Sequence, residues 1–274
     1  MHEHGGGADR IDTSVAHPAR RYNYWLGGKD NFEADRRSGD EIAARFPAVR
    51  TAAVENRRFL RRAVTFLARD AGIRQFLDIG TGIPTADNTH EVAQAVDSRS
   101  RVVYVDNDPI VLSHARALLT SSTDGATAYI DADLREPDKI LEHPDLDRTL
   151  DLTEPVGLML IAVLHFVRDS EEPYAIVRRL LDALPAGSYL AASNVTTDFM
   201  PPEFAAQARQ FGVAGGPHGV MAFRSRDEFG RFFDGLELVE PGIQTVARWR
   251  PEDESGSRPS DADAAVYGAV GRKP

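Results

Sequence analysis

The chain has 274 residues, 42% hydrophobic and 27% charged, with a formal net charge of −10. That composition supplies a full core for one large α/β unit, and its acidity speaks against a nucleic-acid polyanion as partner. Zero cysteines exclude disulfides, thiolate metal sites and a cysteine nucleophile. No apolar run reaches the roughly 18 residues of a membrane span, and Met1 to Gly7 lacks an apolar signal core. The expected location is the cytoplasm.

Residues 1–14 are Gly-rich and polar, which predicts a flexible tail. His2 and His4 fall there and read as incidental, so no metal is expected. Residues 15–70 read as a helical cap or lid, with Phe59, Leu60, Val64 and Leu67 on one helical face. Arg57, Arg58, Arg61 and Arg62 read as a solvated face, or as a basic face for an acidic substrate. Tyr22, Tyr24, Trp25 and Lys29 flank Gly27-Gly28. Such a mixture suits a lid over a ligand. The other reading is a staple holding the N-terminal helices.

Residues 74–85, Arg-Gln-Phe-Leu-Asp-Ile-Gly-Thr-Gly-Ile-Pro-Thr, form a short apolar run that carries Asp78 and ends in a tight Gly-Thr-Gly turn. This is the first strand, turn and helix start of a nucleotide-binding α/β sheet. The third glycine of a dinucleotide fingerprint is missing: the slot after Gly82 reads Ile83-Pro84-Thr85. Asn88 and Glu91 form a predicted capping pair for the next helix. The run from Arg101 ends in Asp106-Asn107-Asp108-Pro109. Asp106 stands near the spacing at which an acid meets ribose hydroxyls, and Asp108 with Pro109 predicts a helix start over 109–120.

Further strands are expected at 127–131, 156–163, 188–194, 236–240 and 264–271, and helices at 171–184, 201–211 and 226–233. The run from Val156 to Val167 is almost continuously apolar, as a central parallel strand requires. Segment 211–223 is rich in glycine and reads as a mobile acceptor loop bearing His218. Segment 252–262 is polar and Gly/Pro-bearing, so a surface loop is expected there.

The acid before the Gly-x-Gly turn resembles motif I of class I S-adenosylmethionine (SAM) methyltransferases. Ala128 to Leu134 resembles that family's third strand and acidic turn. Ala162-Val163-Leu164-His165 resembles its motif IV. The segment Pro18 to Phe32 is similar to the N-terminal signature of a bacterial SAM-dependent family long catalogued as a domain of unknown function. So are 78–85, 88–94, 103–119, Trp249-Arg250-Pro251 and Tyr267 to Lys273. The resemblance implies a Rossmann-like α/β fold, a seven-stranded mostly parallel sheet with helices on both faces, spanning residues 71–274 below the cap. It implies SAM as cofactor. The implied contacts are Asp78, Gly80, Thr81, Gly82, Pro84 and Thr85 around the turn, with Asp106 and Asn107 at the ribose. Asp133 with Leu134 meets the adenine (Asp131 in the alternative register), Ala162 and Val163 face the methionine part, and Tyr22 and Tyr24 come from the cap. The resemblance implies no acceptor.

SAM carries its own electrophile, so the protein's task is to hold an acceptor in line. A base is needed only if the acceptor must lose a proton. His165, just after the fourth strand, is the candidate base, with a packed or structural histidine as the other reading. His218 is a weaker candidate. Asn194 either orients the acceptor or caps a turn. No Asn-Pro-Pro-Tyr-like motif is present, which speaks against adenine amino methylation. Three functions follow: methyl transfer to O or N of a small molecule, a SAM-binding sensor without transfer, and a nicotinamide-dependent dehydrogenase. Asp78 and the missing glycine count against the last. Neither a nucleic acid nor a membrane is expected as partner, and the sequence sets no oligomeric state.

Overall fold

Apolar runs alternating with helical segments dictate a layered α/β arrangement. The computed structural model, which describes residues 12–118, 121–214, 219–252 and 257–274, has that arrangement. Strands β1 (Gln75–Ile79), β2 (Arg101–Asp106), β3 (Ala126–Asp131), β4 (Gly157–Leu160) and β5 (Tyr189–Val195) run parallel. The two-residue strands β6 (Glu237–Leu238) and β7 (Gln244–Thr245) pair antiparallel with β8 (Val266–Arg272), which is antiparallel to β5. The order is β3-β2-β1-β4-β5-β8-β6, with β7 beside β8. The described sheet therefore has eight strands where seven were expected. The additional one, β7, is too short to leave a period-2 signal.

Ten helices stand among the described residues: α1 (Pro18–Trp25), α2 (Glu33–Arg45), α3 (Val49–Arg69), α4 (Thr89–Val96), α5 (Pro109–Leu118), α6 (Pro137–Leu141), α7 (Pro144–Thr149), α8 (Pro173–Asp182), α9 (Pro202–Ala214) and α10 (Arg226–Gly230). Alternate strand residues face opposite sides, and both sides are buried. Leu77, Val103 and Leu158 join Ile176, Val177 and Leu180 of α8 in one core. Phe76, Val102 and Met159 join Phe59, Leu60, Val64 and Leu67 of α3 in the other. The apolar face read on α3 is thus the face laid on the sheet.

Of the four arginines of α3, Arg58 keeps the solvated reading and the other three depart from both readings. Arg57 donates to Ala86 O and Asn88 Oδ1, both at 3.0 Å. Arg58 pairs with Glu55 at 2.6 Å, and Arg61 with Glu252 at 2.5 Å. Arg62 donates to Trp249 O at 2.9 Å and to Val246 O. Arg57, Arg61 and Arg62 tie distant loops to the helix, whereas Arg58 is exposed and pairs with a residue of its own helix.

Local signals hold up well at helix starts. Ile110 N–H donates to Asp108 Oδ1 at 2.9 Å, and Asn88 N–H donates to Glu91 Oε2 at 2.7 Å. The fourth strand is shorter than expected and ends at Leu160. Ala162 leaves the ladder with φ of +58° and donates to Ser193 Oγ instead. The apolar run continues only because the turn after β4 is itself buried. In the loop before β8, Asp261 accepts from Thr245 Oγ1 and Arg248 Nε, each at 2.6 Å, so its C-terminal part is anchored. His2, His4, Leu119, Gly215, Gly216 and His218 lie outside the described residues. Among the described residues no helix is long and apolar enough to cross a membrane.

Candidate functional site

The sheet order reverses direction between β1 and β4, which opens a crevice at the C-terminal strand ends. A cavity of about 430 Å³ occupies it, roofed by α1, α2 and α3 and closed on the β5 side by α9 and residues 219–223. That volume lies within the range of small-molecule sites.

The turn after β1 is shaped by two glycines. Gly80 (φ +76°) sits so close to the turn after β4 that an added Cβ would come within 2.4 Å of Val163 Cγ2. A Cβ on Gly82 (φ +65°) would meet nothing within 4 Å. Asp78 is buried and accepts from Thr89 Oγ1 at 2.6 Å. Burial pushes its carboxyl up to about 6, only partly offset by Thr89 and Arg57. Asp106 accepts from Gly82 N–H through Oδ2 and from Asp108 N–H through Oδ1, both at 2.9 Å. Burial raises its pKa. A carboxylate offers about four lone-pair sites, so roughly two remain for a diol.

Asp133 accepts from Asn107 Nδ2 at 2.8 Å and from Arg135 Nη2 at 2.6 Å. Burial pushes its carboxyl up, but the Arg135 and Asn107 bonds outweigh this and hold it at about 2. Asp133, Asn107 and Leu134 line the cavity, whereas Asp131 is exposed and does not. Pro84 and Thr85 do not line it either. Thr85 N–H donates to Asn88 Oδ1 at 3.1 Å, which binds that stretch to the start of α4.

After Ala162 the chain makes a short 3₁₀ turn, Leu164–Phe166. His165 is buried and lines the cavity. Burial, with a smaller push from Arg224, holds its imidazole at about 3, so it is neutral near pH 7. Its Nδ1 has no partner among the described residues. Arg224 was not visible as a site residue in the sequence, yet it fixes this turn. It donates at 2.9 Å to Leu164 O, Val167 O, Asn194 Oδ1 and Asp169 Oδ1. Asn194 spends its own amide on Val195 O and Ala222 O and does not line the cavity, so it braces the turn and does not orient an acceptor.

In the cap, Tyr22 and Trp25 line the cavity and Tyr24 does not. Tyr24 bonds Asp40 at 2.9 Å and Arg50 at 3.2 Å, and Lys29 is exposed. The polar Lys-Asp-Asn stretch has a folding role. Asn23 Oδ1 accepts from Asp30 N–H at 3.1 Å and Asn31 Nδ2 at 2.9 Å. Helix α1 is moored at the end of β2, where His17 Nδ1 lies 2.9 Å and Arg20 Nε 3.5 Å from Asp108 Oδ2. Three further polar lining residues, Arg21, Asn56 and Arg57, stand in helices where sequence spacing marks them only as helical. Burial lowers Arg21 to about 10, against the pull of Asp35.

The profile of the S-adenosyl methyltransferase family matches residues 4–274. A DUF574 family protein from Streptomyces avermitilis is 50% identical, with a TM-score of 0.91 over 97% of this chain and 100% of its own. A proposed methyltransferase from Thermobifida fusca is 40% identical, with a TM-score of 0.87 over 97% of each chain. No curated protein matches. The likeness runs nearly end to end, and this chain belongs to the S-adenosyl methyltransferase family, with S-adenosylmethionine as its cofactor.

Proposed function

We propose that this methyltransferase acts on an oxygen or nitrogen of a small molecule held in the same cavity as the cofactor. One observation carries the reading: one continuous cavity, partly open to solvent, joins the acids at the ends of β1 and β2 to apolar room beside β4 and β5. The residues fit the cofactor. Gly82 leaves open space for a close approach, Asp106 keeps acceptor capacity for the ribose, and Asp133, Asn107 and Leu134 offer an adenine edge. Asp78, Gly80, Thr81, Ala162 and Val163 would surround the methionine part, with Tyr22 from above. When bound, S-adenosylmethionine supplies a methyl on a sulfonium, an electrophile that needs no activation.

His165 then orients the acceptor by accepting a hydrogen bond. An imidazole held at about 3 is too weak a base to draw a proton efficiently near pH 7. Residues 15–70 form the cap and residues 71–274 the cofactor-binding unit, with 1–14 as a tail. The working place is the bacterial cytoplasm, where the cofactor is made. A SAM sensor without transfer has no observation in its favour. Calorimetry with S-adenosylhomocysteine and NAD, then a screen for acceptor-dependent formation of S-adenosylhomocysteine, tests the reading. Binding of NAD alone would end it.

A further inference from the structure

We propose that the acceptor is an uncharged, flat aromatic molecule, bound beside β4 and β5 against Phe46, Phe211 and Phe223. The proposal rests on the methyltransferase reading and adds the substrate class.

The sheet order divides the crevice. The acids Asp78, Asp106 and Asp133 stand at the β1, β2 and β3 ends, so the side toward β5 is left for the acceptor. Three separate elements deliver aromatic rings there. Phe46 follows α2, Phe211 lies on α9, and Phe223 is on the returning segment. The Phe46 ring lies 6.3 Å from each of the other two, tilted by 54° and 44°. All three line the cavity and none is fully buried, so part of each ring faces open room.

The placement of two of the rings is fixed by the backbone. Met221 N–H donates to Gly212 O at 3.1 Å, and a Cβ on Gly212 would come within 2.1 Å of Met221 O. Only glycine permits that approach, which holds the segment bearing Phe223 against the part of α9 that bears Phe211.

The charges that line the cavity are handled away from these rings; Arg45, whose guanidinium lies 5.0 Å from the Phe211 ring centroid, is exposed and does not line the cavity. Arg21 bonds Ser38 at 3.4 Å and is drawn toward Asp35. Asp263 is exposed and bound to Ser260. His165 is neutral. A charged acceptor in this half would lose hydration with no counter-ion on the cavity wall beside the rings. A flat ring gains the tilted and stacked contacts that aromatic side chains favour.

The test uses 2-naphthol as the probe, its saturated equivalent 2-decalinol and the anion 2-naphthoate, each titrated into protein loaded with S-adenosylhomocysteine. 2-Naphthol is expected to bind best and each analogue at least about tenfold more weakly. Phe211→Ala and Phe223→Ala should each weaken 2-naphthol by about threefold to tenfold, with S-adenosylhomocysteine affinity unchanged. Phe46→Leu keeps the site apolar and should move 2-naphthol the same way, which decides the matter if an alanine variant does not fold. Equal binding of 2-naphthoate or 2-decalinol, absence of 2-naphthol binding, or indifference to the three variants overturns the substrate class while S-adenosylhomocysteine still binds. Failure of the parent protein to bind S-adenosylhomocysteine strikes the methyltransferase reading itself.

Discussion

Removing the Asp106 carboxylate perturbs two things at once, and the structure allows them to be separated. Its two oxygens accept from Gly82 N–H and Asp108 N–H, so Asp106→Ala leaves two backbone donors unmet. Each such loss costs about 1–3 kcal/mol, and the low end applies because the turn borders a cavity that water can enter. The sum is about 2 kcal/mol, or a melting point lower by about 4–8 °C for a chain of this size. The diol contact is a separate loss. Two hydrogen bonds to a charged acceptor are worth about 1.5–3 kcal/mol each, so S-adenosylhomocysteine should bind at least a hundredfold more weakly, on the order of 3–6 kcal/mol. Calorimetry gives the affinity and thermal unfolding gives the stability. A lower melting point with an unchanged dissociation constant would refute the ribose assignment and leave Asp106 as a staple of the glycine turn.

Gly80→Ala should destabilise the fold by about 1–2 kcal/mol for the left-handed backbone and a further 1–3 kcal/mol for overpacking. Val163→Gly added to it should recover the second part only, so additive unfolding energies in urea would refute the contact. Asp78 (raised to about 6) and His165 (lowered to about 3) act on stability with opposite sign. Between about pH 4 and 6 the fold keeps a proton on Asp78 that the unfolded chain has shed, so that contribution falls as pH rises; between about pH 3 and 6.5 the unfolded chain keeps a proton on His165 that the fold refuses, so that contribution grows with pH. Asp78→Asn should therefore lose stability more steeply than the parent on going from pH 6 to 4, and His165→Phe less steeply; parallel curves would show that neither group titrates as its burial demands. If the cap closes on the cofactor, residues 18–32 gain hydrogen-exchange protection when S-adenosylhomocysteine binds, and identical exchange in both states leaves the cap a fixed roof.

What could be read from the sequence was local. Gly80 and Gly82 announced a turn because their left-handed backbone is a property of the residue itself. The capping pairs at Asn88 and Asp108 span two or three positions, and the face of α3 repeats with the helix. The rest depended on pairs far apart in the chain. The apolar run through β4 gave no sign that the ladder ends at Leu160, because burial in a strand and burial in a turn have the same composition. Arg224 is one arginine among many until the fold brings it to Leu164, sixty positions away. Tyr22 and Tyr24 look alike in sequence, yet of the two only Tyr22 reaches the cavity, since helical positions two apart point about 200° apart, to nearly opposite sides.

The two acids at the end of β2 divide labour in a way that joins roof to floor. Asp106 holds the glycine turn from below, and Asp108, two residues on, holds His17 and Arg20 of the roof. Asp35, fully buried, continues the chain of contacts: it accepts from His17 N–H at 2.8 Å and from Phe32 N–H at 2.9 Å, and so fixes α2 against α1. Helix α2 in turn leads directly into Phe46, one ring of the aromatic cluster. A short run of polar contacts thus links the ribose side of the crevice to its aromatic side through the cap and not through the sheet. The start of α1 is therefore in contact with groups that position both ends of the cavity. That is a physical reason for a polar and aromatic N-terminal segment to be built into a fold whose sheet already supplies the strand-end acids.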